Sequence, residues 1–290
     1  MDFTPLTLSD IDIVRPFLKK LGAQTCDFTV GGMFMWRDYF RMEYAVEEDA
    51  FYSRLYNSDG EMYYNIPISN DISRGIIRLL ETNESPMCFC TVPEPYLKYF
   101  KQLKTKTVFI EQDDYADYLY NAEDLAEFTG KRYHGQRSLV NQFIRKHEKW
   151  RFDMIRGEDV ALVRDFFINT YLPASNEGDT GTEENRKVLE VLDNYELFDF
   201  TGGILSVDDS IIGFSLNEII GNTLFTHVEK ADRRFNGAYQ MLVKQTASCF
   251  AKPPIRFVNR EEDMGEPGLR ISKESYHPVC RLKKFIVEVF

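Results

Sequence analysis

Gly203-Ile-Leu-Ser-Val207, Ile211-Ile-Gly-Phe-Ser-Leu-Asn-Glu-Ile-Ile220 and Thr223-Leu-Phe-Thr-His-Val-Glu229, followed by Lys230-Ala-Asp-Arg-Arg-Phe-Asn-Gly-Ala-Tyr239, form the stretch on which the fold turns. The first two apolar runs are separated by Asp208-Asp-Ser210 and the last two by Gly221-Asn222. Turns that short join antiparallel strands. The arginine- and glycine-containing loop then opens a helix over Tyr239–Phe250. A helix N-terminus has unpaired N–H groups and a positive dipole end, and glycine lets a ligand approach the backbone. Lys230, Arg233, Arg234, Phe235, Asn236, Gly237, Ala238 and Tyr239 are therefore the expected anion-binding segment. The alternative is that Gly237 only shapes the helix start and the arginines are solvated.

Downstream, Pro253-Pro254 precedes the apolar run Ile255, Phe257, Val258. Next comes Asn259-Arg-Glu-Glu-Asp-Met-Gly-Glu-Pro-Gly-Leu-Arg-Ile-Ser-Lys-Glu-Ser-Tyr-His-Pro278. Charged groups crowded among glycines and prolines at a strand end are the pattern of side chains held in fixed places. Such a cluster supplies cations that can stabilise a developing anion and carboxylates that can take a proton. Lys273 is the expected cation; Asp263, Glu261 or Glu262 is the expected base. Asn259, Arg260, Arg270 and Tyr276 are expected to contact substrate. The competing reading makes Arg260, Asp263, Arg270 and Lys273 a structural ion-pair network.

Working outward, Phe3–Phe17 aligns with Phe152–Phe166 at a shift of 149 residues, with Phe, Asp, Val, Arg and Phe coinciding. Each copy reads as a short strand and a capped helix, with Ser9 or Glu158 near the helix start. Strands are expected near Tyr44–Val46, Ala50–Leu55, Met62–Ile66, Met87–Val92 and Thr107–Ile110. Helices are expected over Asn70–Glu81, Asn121–Phe128, Leu139–Trp150, Val160–Thr170 and Asn185–Leu192, with a polar loop from Pro173 to Glu184. The pattern gives an α+β fold with mixed, mostly antiparallel sheets. Expected bounds are a first domain at 1–129, a basic bridging helix at 130–151 and a second domain at 152–290.

The net charge of −11 argues against a surface that coats DNA. The charge is uneven: Glu111–Gly130 holds seven acids and no Lys or Arg, whereas Lys131–Arg151 holds seven Lys or Arg and one acid. Within that basic segment Arg132, His134 and Arg137 are placed to face a substrate cleft. His227 and His277 read as lone histidines. Five cysteines, among them Cys88-Phe-Cys90, lack framework or zinc spacing and read as reduced core residues of a cytoplasmic protein. No metal is expected. The N-terminus has no leader pattern, and no apolar run is long enough to span a membrane.

Arg234-Phe-Asn-Gly237 resembles the coenzyme A loop of the GNAT acyltransferases, with Tyr239 at a position that the family fills with a small residue. Gly268-Leu-Arg-Ile-Ser-Lys273-Glu-Ser-Tyr276 is similar to a segment of the Fem-type peptidyltransferases, which are tandem GNAT proteins using aminoacyl-tRNA. Asn259–Pro278 as a whole, with Gly130-Lys-Arg-Tyr-His134, Arg137, Asn141 and Phe143, resembles the catalytic domain of bacterial phosphatidylglycerol lysyltransferases and its free-standing relatives. The resemblance implies two tandem GNAT-like domains. It implies an acyl- or aminoacyl-transferase whose donor is a coenzyme A thioester or an aminoacyl-tRNA. The acceptor would be a small or peptide-like amine or hydroxyl. The alternative is a non-catalytic tandem module that binds a nucleotide-like or tRNA ligand.

Overall fold

The structure, a computed structural model, describes residues 1–174 and 179–290. Two compact units emerge. The first comprises residues 1–117, 262–266 and 281–290, and the second residues 118–261 and 267–280. These bounds differ from the expected 1–129 and 152–290, and the basic helix His134–Lys146 belongs to the second unit.

The first unit's sheet runs, in spatial order, Thr4–Pro5, Glu43–Glu47, Ala50–Tyr56, Met62–Tyr64, Met87–Pro93, Lys284–Val289 and Thr107–Glu111. The other sheet, taken from its opposite edge, runs Trp150–Met154, Thr201–Val207, Ser210–Ile220, Thr223–Ala231, Phe257–Asn259, Asp117–Asn121 and Cys280–Leu282. Each has a parallel pair at its centre, Met62–Tyr64 with Met87–Pro93 and Thr223–Ala231 with Phe257–Asn259, with antiparallel pairings on either side of it. The sixth strand in each order explains the shifted bounds. Asp117–Asn121 pairs antiparallel with Phe257–Asn259, while Lys284–Val289 lies between Met87–Pro93 and Thr107–Glu111. Each sheet is thus completed by a strand from the other half of the chain.

The repeat seen in sequence has a local structural counterpart. Thr4–Pro5 and Trp150–Met154 are edge strands, followed by the 3-10 turns Leu8–Asp10 and Gly157–Asp159 and the helices Ile11–Leu21 and Val160–Phe166. The Thr7 N–H donates to the Asp10 carboxylate (2.8 Å), and the Arg156 N–H to that of Asp159 (2.9 Å). Both pairs obey the 149-residue shift. The device satisfies an otherwise unpaired donor where each helix begins. The helix start is therefore fixed by Thr7/Asp10 and Arg156/Asp159 rather than by Ser9 or Glu158.

The strands expected in the first half are present, as is the 203–220 hairpin, whose turn holds Asp208 and Asp209 at positive φ. Three segments differ: the helix expected over Leu139–Trp150 runs over His134–Lys146, and Trp150 opens an edge strand. The strand Asp117–Asn121 lies where an acidic run suggested none, and the helix Asp179–Asp193 begins within the expected polar loop; residues 175–178 of that loop lie outside the described residues. All five cysteines are free, but only Cys26 and Cys90 are buried; Cys280 is exposed.

In the second unit the helices Ala238–Phe250, His134–Lys146 and Ala122–Glu127 pack Met241, Leu242, Phe143, Leu125 and Phe128 into one core with Val258 and Tyr276. Gly237 sets the closeness of that packing. Its φ is +86°, and a Cβ added there would meet the Leu139 carbonyl oxygen at 2.4 Å. Gly237→Ala is expected to lower stability by about 1–3 kcal/mol through backbone strain and overpacking. Urea denaturation of the two proteins, compared by midpoint at equal m-value, checks this.

Candidate functional site

The second unit's parallel pair hydrogen-bonds in register from Thr223/Phe257 to Phe225/Asn259. Past that point side chains take over. The strand Ser210–Ile220 pairs Leu216 with Val228 but Asn217 with Thr226, so His227 is the extra residue of a β-bulge. His227 Nδ1 lies 2.7 Å from Glu261 Oε1, and Nε2 lies 3.2 Å from Glu218 Oε2. Phe200 stacks on the imidazole at 5.2 Å. Burial works to lower the His227 pKa, but the hydrogen bonds and charges of Glu218 and Glu261 outweigh it and raise it to about 9. The ring is thus an imidazolium at neutral pH. Glu261 has φ +58°, and its N–H donates to Asn259 Oδ1 at 2.7 Å, which holds this left-handed turn closed.

Beside this triad the Arg260 guanidinium donates twice to Glu229 Oε2, at 3.0 and 2.5 Å, and lies over the Tyr276 ring at 4.7 Å and the Tyr120 ring at 5.8 Å. Burial opposes its charge, yet Glu229 raises its pKa further. Among the described residues its Nη1 is buried without a hydrogen-bond partner. Lys273 leaves the helix Pro267–Glu274 inward, only 8% exposed, and its Nζ donates to the Arg260 carbonyl at 2.7 Å and lies over the Tyr118 ring. Tyr120 Oη donates to the Lys273 carbonyl at 2.8 Å. Burial pushes the Tyr276 phenol up to about 12, so it stays neutral.

The residues singled out in sequence do not all meet in one place. Lys273, Glu261, Asn259, Arg260 and Tyr276 meet around the end of Phe257–Asn259. Asp263 and Glu262 belong to the first unit. There Asp263 is fully buried, accepts from the Gly265 N–H at 2.9 Å and lies 3.9 Å from Arg281. The expected catalytic trio is therefore divided between units. Arg132 pairs with Asp124 at 2.6 Å, Arg137 Nη1 donates to the Gly130 carbonyl at 2.5 Å, and His134 is exposed at the start of its helix. Arg270 is half-buried on the helix Pro267–Glu274.

The expected anion loop is internally occupied. Arg234 is mostly exposed, yet its guanidinium forks onto Asp232 at 2.6–3.0 Å. Burial works to raise the Asp232 pKa, but the bonds from the Arg234 side chain and backbone hold it below its usual value. Lys230 is buried, 3.0 Å from Glu184 and over the Tyr171 ring. Phe235 packs on His147, and Asn236 donates to Gln142 at 3.3 Å. Gly237 packs against the Leu139 carbonyl on the side that a Cβ would occupy, while Ala238 is buried and Tyr239 half-buried. Sequence reasoning missed Glu218, His227 and Glu229. Their signal was the placement of Asn217-Glu218 and His227 inside otherwise apolar strands.

The site lies at the end of the central parallel pair; the mixed, mostly antiparallel sheets flanked by helices make the fold GNAT-like. Residues 18–288 match the family described as "Phosphatidylglycerol lysyltransferase, C-terminal". The chain belongs to that family. Among solved structures, a conserved protein of unknown function from Bacteroides thetaiotaomicron is 28% identical over the full length of both chains, with a TM-score of 0.88. The C-terminal domain of a putative lysylphosphatidylglycerol synthetase from Agrobacterium fabrum is 11% identical, over 97% of this chain and 92% of its own, with a TM-score of 0.67. FemX, 11% identical over 99% and 97%, has a TM-score of 0.57 and shares the fold. An uncharacterized protein of Mycoplasmoides gallisepticum is 24% identical over 63% of this chain and 59% of its own length. Among the described residues no helix is long and apolar enough to cross a membrane.

The raised His227 pKa fixes the sign of a pH effect. Stability from the protonated ring is fully present below its ordinary value of 6.5 and is lost as pH rises through about 9. Wild type is expected to lose roughly 2–3 kcal/mol of this contribution between neutral pH and pH ~10. His227→Gln should flatten that slope, as read from urea midpoints across the range.

Proposed function

We infer that the second unit transfers an aminoacyl group from aminoacyl-tRNA to an amine or hydroxyl acceptor. One observation carries the reading: a buried guanidinium, Arg260, has a buried N–H directed at no protein acceptor, beside a carboxylate held by an imidazolium. An ester carbonyl that becomes an oxyanion would accept from Arg260 Nη1. Glu261, whose side chain keeps 23% of its exposure, would accept the nucleophile's proton, with His227 and Glu218 fixing its direction. Lys273 then acts as a positioning residue, because its ammonium clamps the Arg260 carbonyl rather than facing the carbonyl of a substrate.

An aminoacyl-tRNA donor is favoured over a coenzyme A thioester by the loop at 232–237. Its arginine is committed to Asp232, a pairing that a pyrophosphate would have to displace. The exposed cations Lys131, Arg145, Lys146 and Lys149 offer phosphate contacts instead. Similarity to proteins named for lysyl transfer to phosphatidylglycerol supports lysine as the first amino acid to try. A binding module without turnover is the second reading, favoured by the burial of Lys273 on a backbone carbonyl.

Radiolabelled lysyl-tRNA, incubated with the protein and either phosphatidylglycerol vesicles or a small amine, is expected to lose label to the acceptor. Arg260→Ala should slow transfer by ~10²–10³-fold, as removal of an oxyanion donor does, with circular dichroism unchanged. Label that stays on tRNA while tRNA still binds would establish the non-catalytic module. Calorimetric titration with coenzyme A is expected to give no heat; micromolar binding would overturn the choice of donor.

A further inference from the structure

The first unit encloses a second reactive cluster that the transfer reading does not use. Lys284 has no exposed surface, and its Nζ lies 2.6 Å from Asp117 Oδ1, 2.7 Å from Asp27 Oδ2 and 3.6 Å from Glu262 Oε2. The fourth neighbour is the Cys26 thiol, with Sγ 3.4 Å from Nζ. That separation is van der Waals contact between sulfur and nitrogen. Cys26 Sγ also lies 2.9 Å from Glu262 Oε2 and 3.3 Å from Asp117 Oδ1, and the Cys26 N–H donates to Asp117 Oδ2 at 2.6 Å. Four separate segments converge: the 3-10 turn Cys26–Phe28, the start of Asp117–Asn121, the Glu262–Glu266 segment and the strand Lys284–Val289.

Cys26, Asp27 and Asp117 bring ligand atoms close enough to hold a metal ion. The lysine ammonium lies between the two carboxylates, where such an ion would bind, so the site carries its own cation. A thiol and an amine held in contact, beside a carboxylate able to take a proton, are instead the parts of a covalent bridge. We propose that Cys26 and Lys284 are a modification site, at which dioxygen inserts one oxygen atom between Sγ and Nζ to give an S–O–N link.

The step balances. The S–H bond, two N–H bonds of the ammonium and the O–O bond break, while one S–O and one O–N bond form. Sulfur and nitrogen together lose four electrons, which dioxygen takes up; its second oxygen leaves as water with two of the protons. The third proton passes to Glu262, the carboxylate nearest the sulfur. The link ties residues 258 positions apart. It also removes the ammonium from between Asp27 and Asp117, so those carboxylates must take up protons from solvent to stay buried. A thiol oxidised alone would instead climb through the sulfenic and sulfinic to the sulfonic acid. The bridge requires the amine at contact distance.

Purified protein held under air and under nitrogen, then analysed by intact mass and peptide mapping, tests this. The expected result under air is a mass gain of one oxygen less two hydrogens. A linked peptide pair containing Cys26 and Lys284 should accompany it, disappear on reduction with dithiothreitol and be missing in Cys26→Ser. Peptide mapping of the wild type decides the matter even if that variant folds poorly. Whole-oxygen additions on Cys26 with a free Lys284 would overturn the proposal. So would loss of water joining Lys284 to Asp117, or a mass unchanged by air.

Discussion

Two parallel strands that hydrogen-bond for three residue pairs and then part create an obligation that the second unit is organised to meet. Beyond Phe225 and Asn259 the ladder stops, and polar groups in a buried sheet cannot be left without partners. Glu218, His227 and Glu261 close one side of the fork, while Arg260 and Glu229 close the other. The bulge at His227 turns a residue that would have alternated away into the bridge between strands. Lys273, arriving from a later helix, ties down the carbonyl at the fork's far limb. The charges there are fixed by one another, and little freedom remains for them to reorganise.

How much of this was legible in the sequence depends on distance along the chain. The hairpin was readable because Asp208-Asp-Ser210 and the alternating apolar runs act within a dozen residues. The repeat was readable because Thr7/Asp10 and Arg156/Asp159 are local devices that recur at a fixed shift. The strand Asp117–Asn121 was not, since its neighbours Asp113, Asp114, Glu123 and Asp124 give the segment a solvated composition, while its own Tyr118 and Tyr120 are fully buried. What decides its structure is Phe257–Asn259, far away in sequence. His227 looked solitary for the same reason: Glu261 is 34 residues distant, and only a strand fork brings the two together.

The loop at 232–237 shows the limit of reading a short motif. Arg234 and Gly237 stand where a phosphate-binding turn would want them, yet the same arginine answers Asp232 and the same glycine admits Leu139. Asp232 is the residue that changes the meaning of the motif. A carboxylate buried at the mouth of an anion site supplies internally the charge that the site would otherwise recruit.

The exchange of sixth strands bears on how the chain can acquire its structure as it is made. The sheet of the first unit lacks its strand between Met87–Pro93 and Thr107–Glu111 until Lys284–Val289 emerges, after the whole of the second unit has been synthesised. Until then Val92 and Phe89, both buried in the finished sheet, border an open edge in the nascent chain. The second unit, in contrast, has Asp117–Asn121 in hand before the rest of its sheet appears. In vectorial synthesis both sheets nonetheless wait on neighbouring late strands, Cys280–Leu282 for the second and Lys284–Val289 for the first, so that the earlier unit cannot close before the later one is made.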